Sequence, residues 1–531
     1  LPEPLLPGKI INIETPFFIK LPKVFSRLGH TGKHYEITQW YPKPAVYDHK
    51  GWHPMPYLDR GEFYSEFGSF DVKITLPKEY RIMATGMLVN GEREYEWLDS
   101  LSTSLDTLFN MDDDNFKKHL KKIKKASNKK TKNKEEEIKK GKQYKTLHFR
   151  QDNVHDFAWF ADPNWYVRSG KLELNGRSVQ LWSMFLEKNA FLWKKSIEYL
   201  HDSGYWFSKF YGDYPYDHIT AVDGDMSAGG GMEYPNITVI SSEGTRDMLE
   251  MVIMHEVGHN WFYGILGSNE RDHAWLDEGL NDYSNIRYWE KKYKDRNATF
   301  IFNKQIQEKL GIGKNIQYRY LGYLTYISAA NSGDEEPLSL SSNDFIRGSN
   351  YWLNYSKTGI FTRFLEHYIG EEIMDQIMQD YYENFKYKHP QPDDFERSFS
   401  KFTAYDLSWY FDDVFKTTNY IDYAIKNHKD NVEIINQGNM DCPIELSFYN
   451  KKNELIACTW LDGFSDRDIV PKPALTKIVK IDSDMYMPDI DRTNNFTHRP
   501  FKFKFLIDQP DYSKREVYLL PWIFNWNIFN G

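Results

Sequence analysis

Cysteine is almost absent: Cys442 and Cys458 are the only two in 531 residues. Thiolates therefore cannot furnish a metal site or a disulfide framework, and at most one disulfide could join the pair. Long apolar runs are missing too. The mean hydropathy is −0.67, and no stretch approaches the roughly 20 apolar residues that a bilayer-spanning helix needs. Charge of one sign is scarce: 67 Lys and Arg stand against 76 Asp and Glu, a net of −9. That is too weak, spread over a large surface, to imply nucleic acid as a partner or steering of acidic substrates. No internal repeat is visible, and the N-terminus carries no signal-peptide pattern. The chain starts at Leu1 without a Met and stops in an aromatic run without a capping element. This look of truncation at both ends favours an exported or envelope-associated protein over a cytoplasmic one.

What is present is ample for packed interiors: 40% apolar and 17% aromatic residues, at a length that predicts about three domains. The organising stretch runs from Met254 to Tyr283, MHEVGHNWFYGILGSNERDHAWLDEGLNDY. His255 and His259 stand four apart in an apolar run, so on a helix they point the same way and can hold one metal ion. Glu256 sits beside them where the general base of an H-E-x-x-H zinc hydrolase belongs. A second helix, EGLNDYSNIRYWEKKY, begins at Glu278, and a helical hairpin would bring that carboxylate back to the imidazoles. Two His and one Glu leave a fourth position open for water, which separates a catalytic zinc site from a structural one. The pentapeptide alone also occurs in unrelated helices; W-L-D-E-G at this spacing is what makes it specific.

Taken in order, residues 1–187 alternate short apolar segments with Gly and Pro, which predicts a β-rich domain. Two aromatic, Pro-rich segments, Gln39–Pro44 and Gly51–Pro54, suit a loop lining a cleft, although packing between strands is the commoner use of such aromatics. A Lys-rich insertion at about 112–145 has too few large apolar residues to bury a core of its own and reads as an exposed charged helical hairpin; a basic anchor for a membrane or nucleic acid is the other reading. Residues 188–427 turn helical and hold the metal motif. Within them Gly229-Gly230-Gly231-Met232-Glu233-Tyr234 runs into Pro235–Ile240, a β-branched stretch that predicts an edge strand to which an extended peptide could add, or else a plain turn. Residues 428–531 alternate again, predicting a smaller C-terminal β domain, in sandwich form.

Four motifs in this order, Gly230-Gly231-Met232-Glu233-Tyr234, His255-Glu256-Val257-Gly258-His259, Trp275-Leu276-Asp277-Glu278-Gly279 and Tyr355-Ser356-Lys357-Thr358-Gly359, resemble the signatures of the aminopeptidase N family of gluzincin metallopeptidases, which also includes leukotriene hydrolase. The resemblance implies a multidomain α and β fold: an N-terminal β domain, a thermolysin-like catalytic domain and a β domain after it. It also implies one zinc per chain on His255, His259 and Glu278, Glu256 as general base, Tyr355 as transition-state hydrogen-bond donor, and Glu233 as anchor for the free α-amine of a peptide. Gly230, Gly231 and Met232 would line the substrate backbone. Two departures stand out. The family's usual Asn after Met-Glu is Tyr234, which predicts a more aromatic pocket for the first residue, and the glutamine or acid that often helps bind the amine from the first domain falls at Tyr41.

Three functions compete on these residues. An aminopeptidase uses all of them, a thermolysin-like endopeptidase has no use for Glu233, and a non-catalytic peptide-binding protein on a relict fold has no need of the complete catalytic set.

Overall fold

The computed structural model describes residues 4–130, 143–225, 230–294, 316–504 and 509–518. The β-rich start, helical middle and β-rich end expected from the sequence are all seen. In the first region, strands Gly29–Thr31, His34–Ile37, Trp159–Asp162 and Arg81–Ala84 form one sheet, and the long strand Gly68–Pro77 pairs antiparallel with Tyr144–Val154 in a second. Ile74, Leu76, Ile82, Phe149 and Phe157 close the core between them.

His34 ties this region together. Its Nε2 lies 3.0 Å from Glu36 and its Nδ1 3.3 Å from Asp162 on the neighbouring strand, with the ring almost wholly buried. Burial alone would lower its pKa, but the two carboxylates outweigh it and push it up to about 9. A group whose pKa rises on folding stabilises the fold fully below its unfolded value, about 6.5, and loses that contribution as pH climbs through its folded value. The gap in urea-unfolding stability between the wild type and His34→Gln should therefore narrow between pH 6.5 and about 9, from an upper limit of about 3 kcal/mol at 1.36 kcal/mol per pH unit. A gap that is flat over this range would show that the histidine is not held charged.

Between the two sheets' strands the chain is helical, first where the sequence reading gave no helix and then inside the segment read as a charged helical hairpin. Glu92–Ser104 buries Leu98, and Asp113–Lys130 follows. In the latter helix Phe116, Leu120 and Ile123 fall at helical spacing, Phe116 fully buried and the other two half-buried. The Lys-rich segment thus has a docked side. Whether it forms a hairpin falls on 131–142, outside the described residues.

The platform of the middle region is a five-stranded sheet in the order Tyr166–Leu174, Arg177–Phe185, His218–Gly224, Ile237–Ser241, Gly231–Tyr234. The strand His218–Gly224 is parallel to both its neighbours, and buried parallel strands read as short apolar runs without alternation. That explains why it is hidden in a segment that otherwise reads as helical. One sheet therefore crosses position 187, where the sequence reading divides the chain. The free edge also differs from expectation: it belongs to Gly231–Tyr234, which Asn236 (φ +67°) turns back onto Ile237–Ser241. Gly229 lies outside the described residues.

Against this sheet pack the helices Ser196–Phe210 and Arg246–Gly258; Leu280–Tyr293 lies on these two, and Tyr318–Ser332 and Leu353–Ile369 pack on it in turn. The last is buried on nearly every side. It approaches closely because Gly279 and Gly359 lack side chains: a Cβ on Gly279 would lie 2.4 Å from Thr358, and one on Gly359 2.8 Å from Asp282. Lys357, wholly buried, pairs with the almost equally buried Glu335. Beyond residue 420, two three-stranded sheets enclose Val432, Ile434, Leu446, Phe448, Val479 and Ile481. Cys442 is buried and Cys458 exposed, and both are free thiols. Among the described residues no helix is long and apolar enough to cross a membrane.

Candidate active site

The helix Arg246–Gly258 begins at Thr245, whose side chain accepts the amide of Met248 and so caps it. Leu249, Ile253, Met254 and Val257 bury its inner face, which turns His255 and His259 toward a cavity of about 580 Å³. Their Nε2 atoms face one another at 3.2 Å. Glu278 arrives on a π-type turn, Trp275–Gly279, a wide turn of the kind that recurs at functional sites. Its Oε2 lies 3.3 Å from His255 and 3.2 Å from His259. One donor atom from each of these three residues converges on one point.

This donor set fits a divalent cation. Glu278 Oε2 is a buried oxygen without a hydrogen-bond partner, and two ring nitrogens and a carboxylate oxygen aimed at one point need a positive charge between them. The groups behind them prepare the lone pairs. Asp277 Oδ1 lies 2.7 Å from His259 Nδ1, so that nitrogen holds the proton and Nε2 is left free. The Asn285 side-chain amide lies 2.8 Å from His255 Nδ1 while its own oxygen has no partner. Amide oxygen and nitrogen exchange by a simple flip, and with the oxygen toward Nδ1 the amide accepts the ring proton, which frees His255 Nε2. His259 and His255 hold the Glu278 carboxyl far below the usual carboxylate range although burial acts the other way.

Glu256, 6% exposed, rests on the edge strand. A Cβ on Gly231 would lie 2.4 Å from its Oε1, so glycine at this position is a steric requirement of the carboxylate. Glu233 points the same way from that strand and lines the cavity. Burial, with Glu62, Glu256 and Glu278 nearby, raises the Glu233 carboxyl well above its ordinary pKa. Gly230 and Met232 complete that wall. Met232 also belongs, with Tyr234, to the apolar cluster behind the strand.

Tyr355 donates to Glu278 Oε1, and its ring stacks over His255 at 5.9 Å. Tyr351, one turn earlier, donates instead to Glu270 Oε1 at 2.8 Å. The two tyrosines thus address different carboxylates, and Tyr355 is the one on the converging trio.

Two expectations about the cavity are corrected. Tyr234 does not add an aromatic wall: it is buried against Phe160 on the far face of the strand, because successive residues of a strand face opposite ways. Tyr41 is also elsewhere, donating to Asp156 at 2.8 Å. The Gln39–Pro44 and Gly51–Pro54 segments lie outside the cavity wall. The N-terminal region contributes Arg27 and the run Asp59-Arg60-Gly61-Glu62 instead, and the middle region adds Glu270. None of these is marked by a local sequence pattern, apart from Gly61 in its loop.

Comparison with known proteins gives the following. A Peptidase family M1 domain matches residues 201–414. Probable aminopeptidase 2 of Sulfurisphaera tokodaii is 24% identical over 218 residues, 39% of this chain and 25% of that protein. Leucine aminopeptidase 2-1 of Meyerozyma guilliermondii is 28% identical over 169 residues, 30% and 25% of the two chains. Aminopeptidase B of Rattus norvegicus is 24% identical over 176 residues, 31% and 24%. The crystal structure of Legionella pneumophila aminopeptidase A in complex with aspartic acid has the same fold, with a TM-score of 0.59 at 14% identity over 88% of this chain and 48% of that one. The matches span about a quarter of the curated relatives' length and about half of the structure's.

Proposed function

We propose, from the premise that this chain belongs to peptidase family M1 through residues 201–414, that it is a zinc-dependent aminopeptidase acting on peptides with a free N-terminus. The observation that carries the reading is the meeting, in one cavity, of the His255, His259 and Glu278 donors with two further buried carboxylates, Glu256 and Glu233. Zinc, which suits two imidazoles and a carboxylate, would lower the pKa of a water molecule and polarise a peptide carbonyl.

The chain's own groups supply the rest. Glu256 takes the proton of the attacking water on its carboxylate and returns it to the departing amine. The Tyr355 hydroxyl, at the edge of the trio, is a donor for the negative charge that develops on the carbonyl oxygen. Among the described strands Gly231–Tyr234 is the edge of its sheet, and its backbone groups can pair with an extended substrate past Gly230, Gly231 and Met232. Glu233 sets the register: an ionised carboxylate facing an α-ammonium makes a charge-assisted contact that an internal peptide bond cannot make.

Metal removal tests the reading at its base. Exhaustive chelation, verified by metal analysis, should abolish hydrolysis of an aminoacyl chromogenic amide, and about one equivalent of zinc per chain should restore it. Turnover that survives verified metal loss would end the proposal.

A further inference from the structure

The cavity wall near Glu233 includes a piece of the N-terminal region, Arg60–Glu62, that a buried arginine holds in place. Arg271 is 5% exposed. Its Nη1 donates to the Arg60 carbonyl at 2.6 Å and its Nε to the Glu62 carbonyl at 3.1 Å. The same guanidinium lies 5.7 Å from the centre of the Phe63 ring, and the Tyr263 hydroxyl donates to the Phe63 carbonyl at 2.9 Å. Arg60 in turn donates to the Phe345 carbonyl at 2.8 Å.

Gly61, at φ +74°, is pressed so close that a Cβ there would lie 2.9 Å from Ser342 Oγ and 3.1 Å from Arg271 Cδ. Glu62, paired with Arg27, faces the cavity beside Glu233. A planar guanidinium serving two carbonyls of one tripeptide fixes both its position and its orientation, which a lysine cannot do. Loops are normally the mobile part of a cleft, so this number of fixed contacts on three residues needs a reason.

We propose that Arg60–Glu62, pinned by Arg271, is a stop that closes the cleft beyond Glu233 so that a single substrate residue fits on the amine side of the scissile bond. The proposal rests on the aminopeptidase reading and adds to it the element that makes the enzyme an exopeptidase. Glu233 rewards a free amine, while the stop excludes whatever would precede it. Arg271 is a positioning residue. It touches the backbone of the stop and none of the reacting atoms.

The test uses the zinc-loaded full chain as wild type, Arg271→Met, Arg271→Lys and Gly61→Ala. Each is read for kcat and KM on an aminoacyl amide and its N-acetyl twin, and for the mass of the first product released from a pentapeptide. Zinc content and thermal unfolding are measured alongside. The wild type should release single residues. In Arg271→Met and Gly61→Ala the preference for the free amine should fall ten- to a hundredfold, on the order of what a displacement of about 1 Å can cost. The fall should come from faster turnover of the blocked substrate, with dipeptide among the first products, and Arg271→Lys should fall between. A purely structural role would lower both activities together.

Should Arg271→Met fail to fold, Gly61→Ala and Arg271→Lys carry the comparison. A preference and first product unchanged in the folded variants would overturn the stop while leaving the function standing. A wild type that hydrolyses neither amide would overturn the function and the stop together.

Discussion

Glu256→Gln should bind zinc as the wild type does and turn over aminoacyl amides about 10²–10⁴-fold more slowly, the usual worth of a positioned general base. The substitution keeps the shape that packs against Gly231, where a Cβ would come within 2.4 Å of the carboxylate, and removes the capacity to hold a proton. His255, His259 and Glu278 are untouched, so metal content separates a lost base from a lost site. Stopped assays at matched zinc occupancy read it directly. Wild-type turnover in this variant would assign the base to another residue, Glu233 being the nearest alternative carboxylate.

Tyr355→Phe should lower kcat by about 10²–10³, typical for removal of one oxyanion donor, with little change in KM, because a donor aimed at developing charge contributes mainly in the transition state. Tyr351→Phe should be mild, since that hydroxyl is engaged with Glu270. The ring of Tyr355 still stacks on His255 in the variant, so zinc content and fold should be kept. A kcat within about threefold of wild type, far short of that expected loss, would show that the hydroxyl's role is confined to its bond with Glu278.

The parts of the site that could be read from sequence share one property: their partners are set by a local period. His255 and His259 are one helical turn apart, Glu278 stands two residues before the helix Leu280–Tyr293, and Tyr351 and Tyr355 are four positions apart across the join of two helices. Tyr234 was equally open to such a reading. On a strand with period two, Glu233 and Tyr234 must face opposite ways, and the expectation of an aromatic wall overlooked this. The stop is different in kind. Arg271 reaches Glu62 across 209 positions, and nothing in the sequence around either residue announces the contact. The strand His218–Gly224 was missed for another reason: buried on both faces, it lacks the alternation that marks half-exposed strands.

Recognition of a free α-amine next to a metal-assisted hydrolytic centre is the function proposed for this cavity. It is tested most directly by kcat/KM on a panel of aminoacyl chromogenic amides beside their N-acetylated twins, in the wild type and in Glu233→Ala. The wild type should strongly prefer the free amine, and that preference should collapse in Glu233→Ala, by about 1.5–3 kcal/mol, the worth of a hydrogen bond to a charged group. Equal rates on free and blocked amides in the wild type would contradict it and point to an endopeptidase on the same metal site.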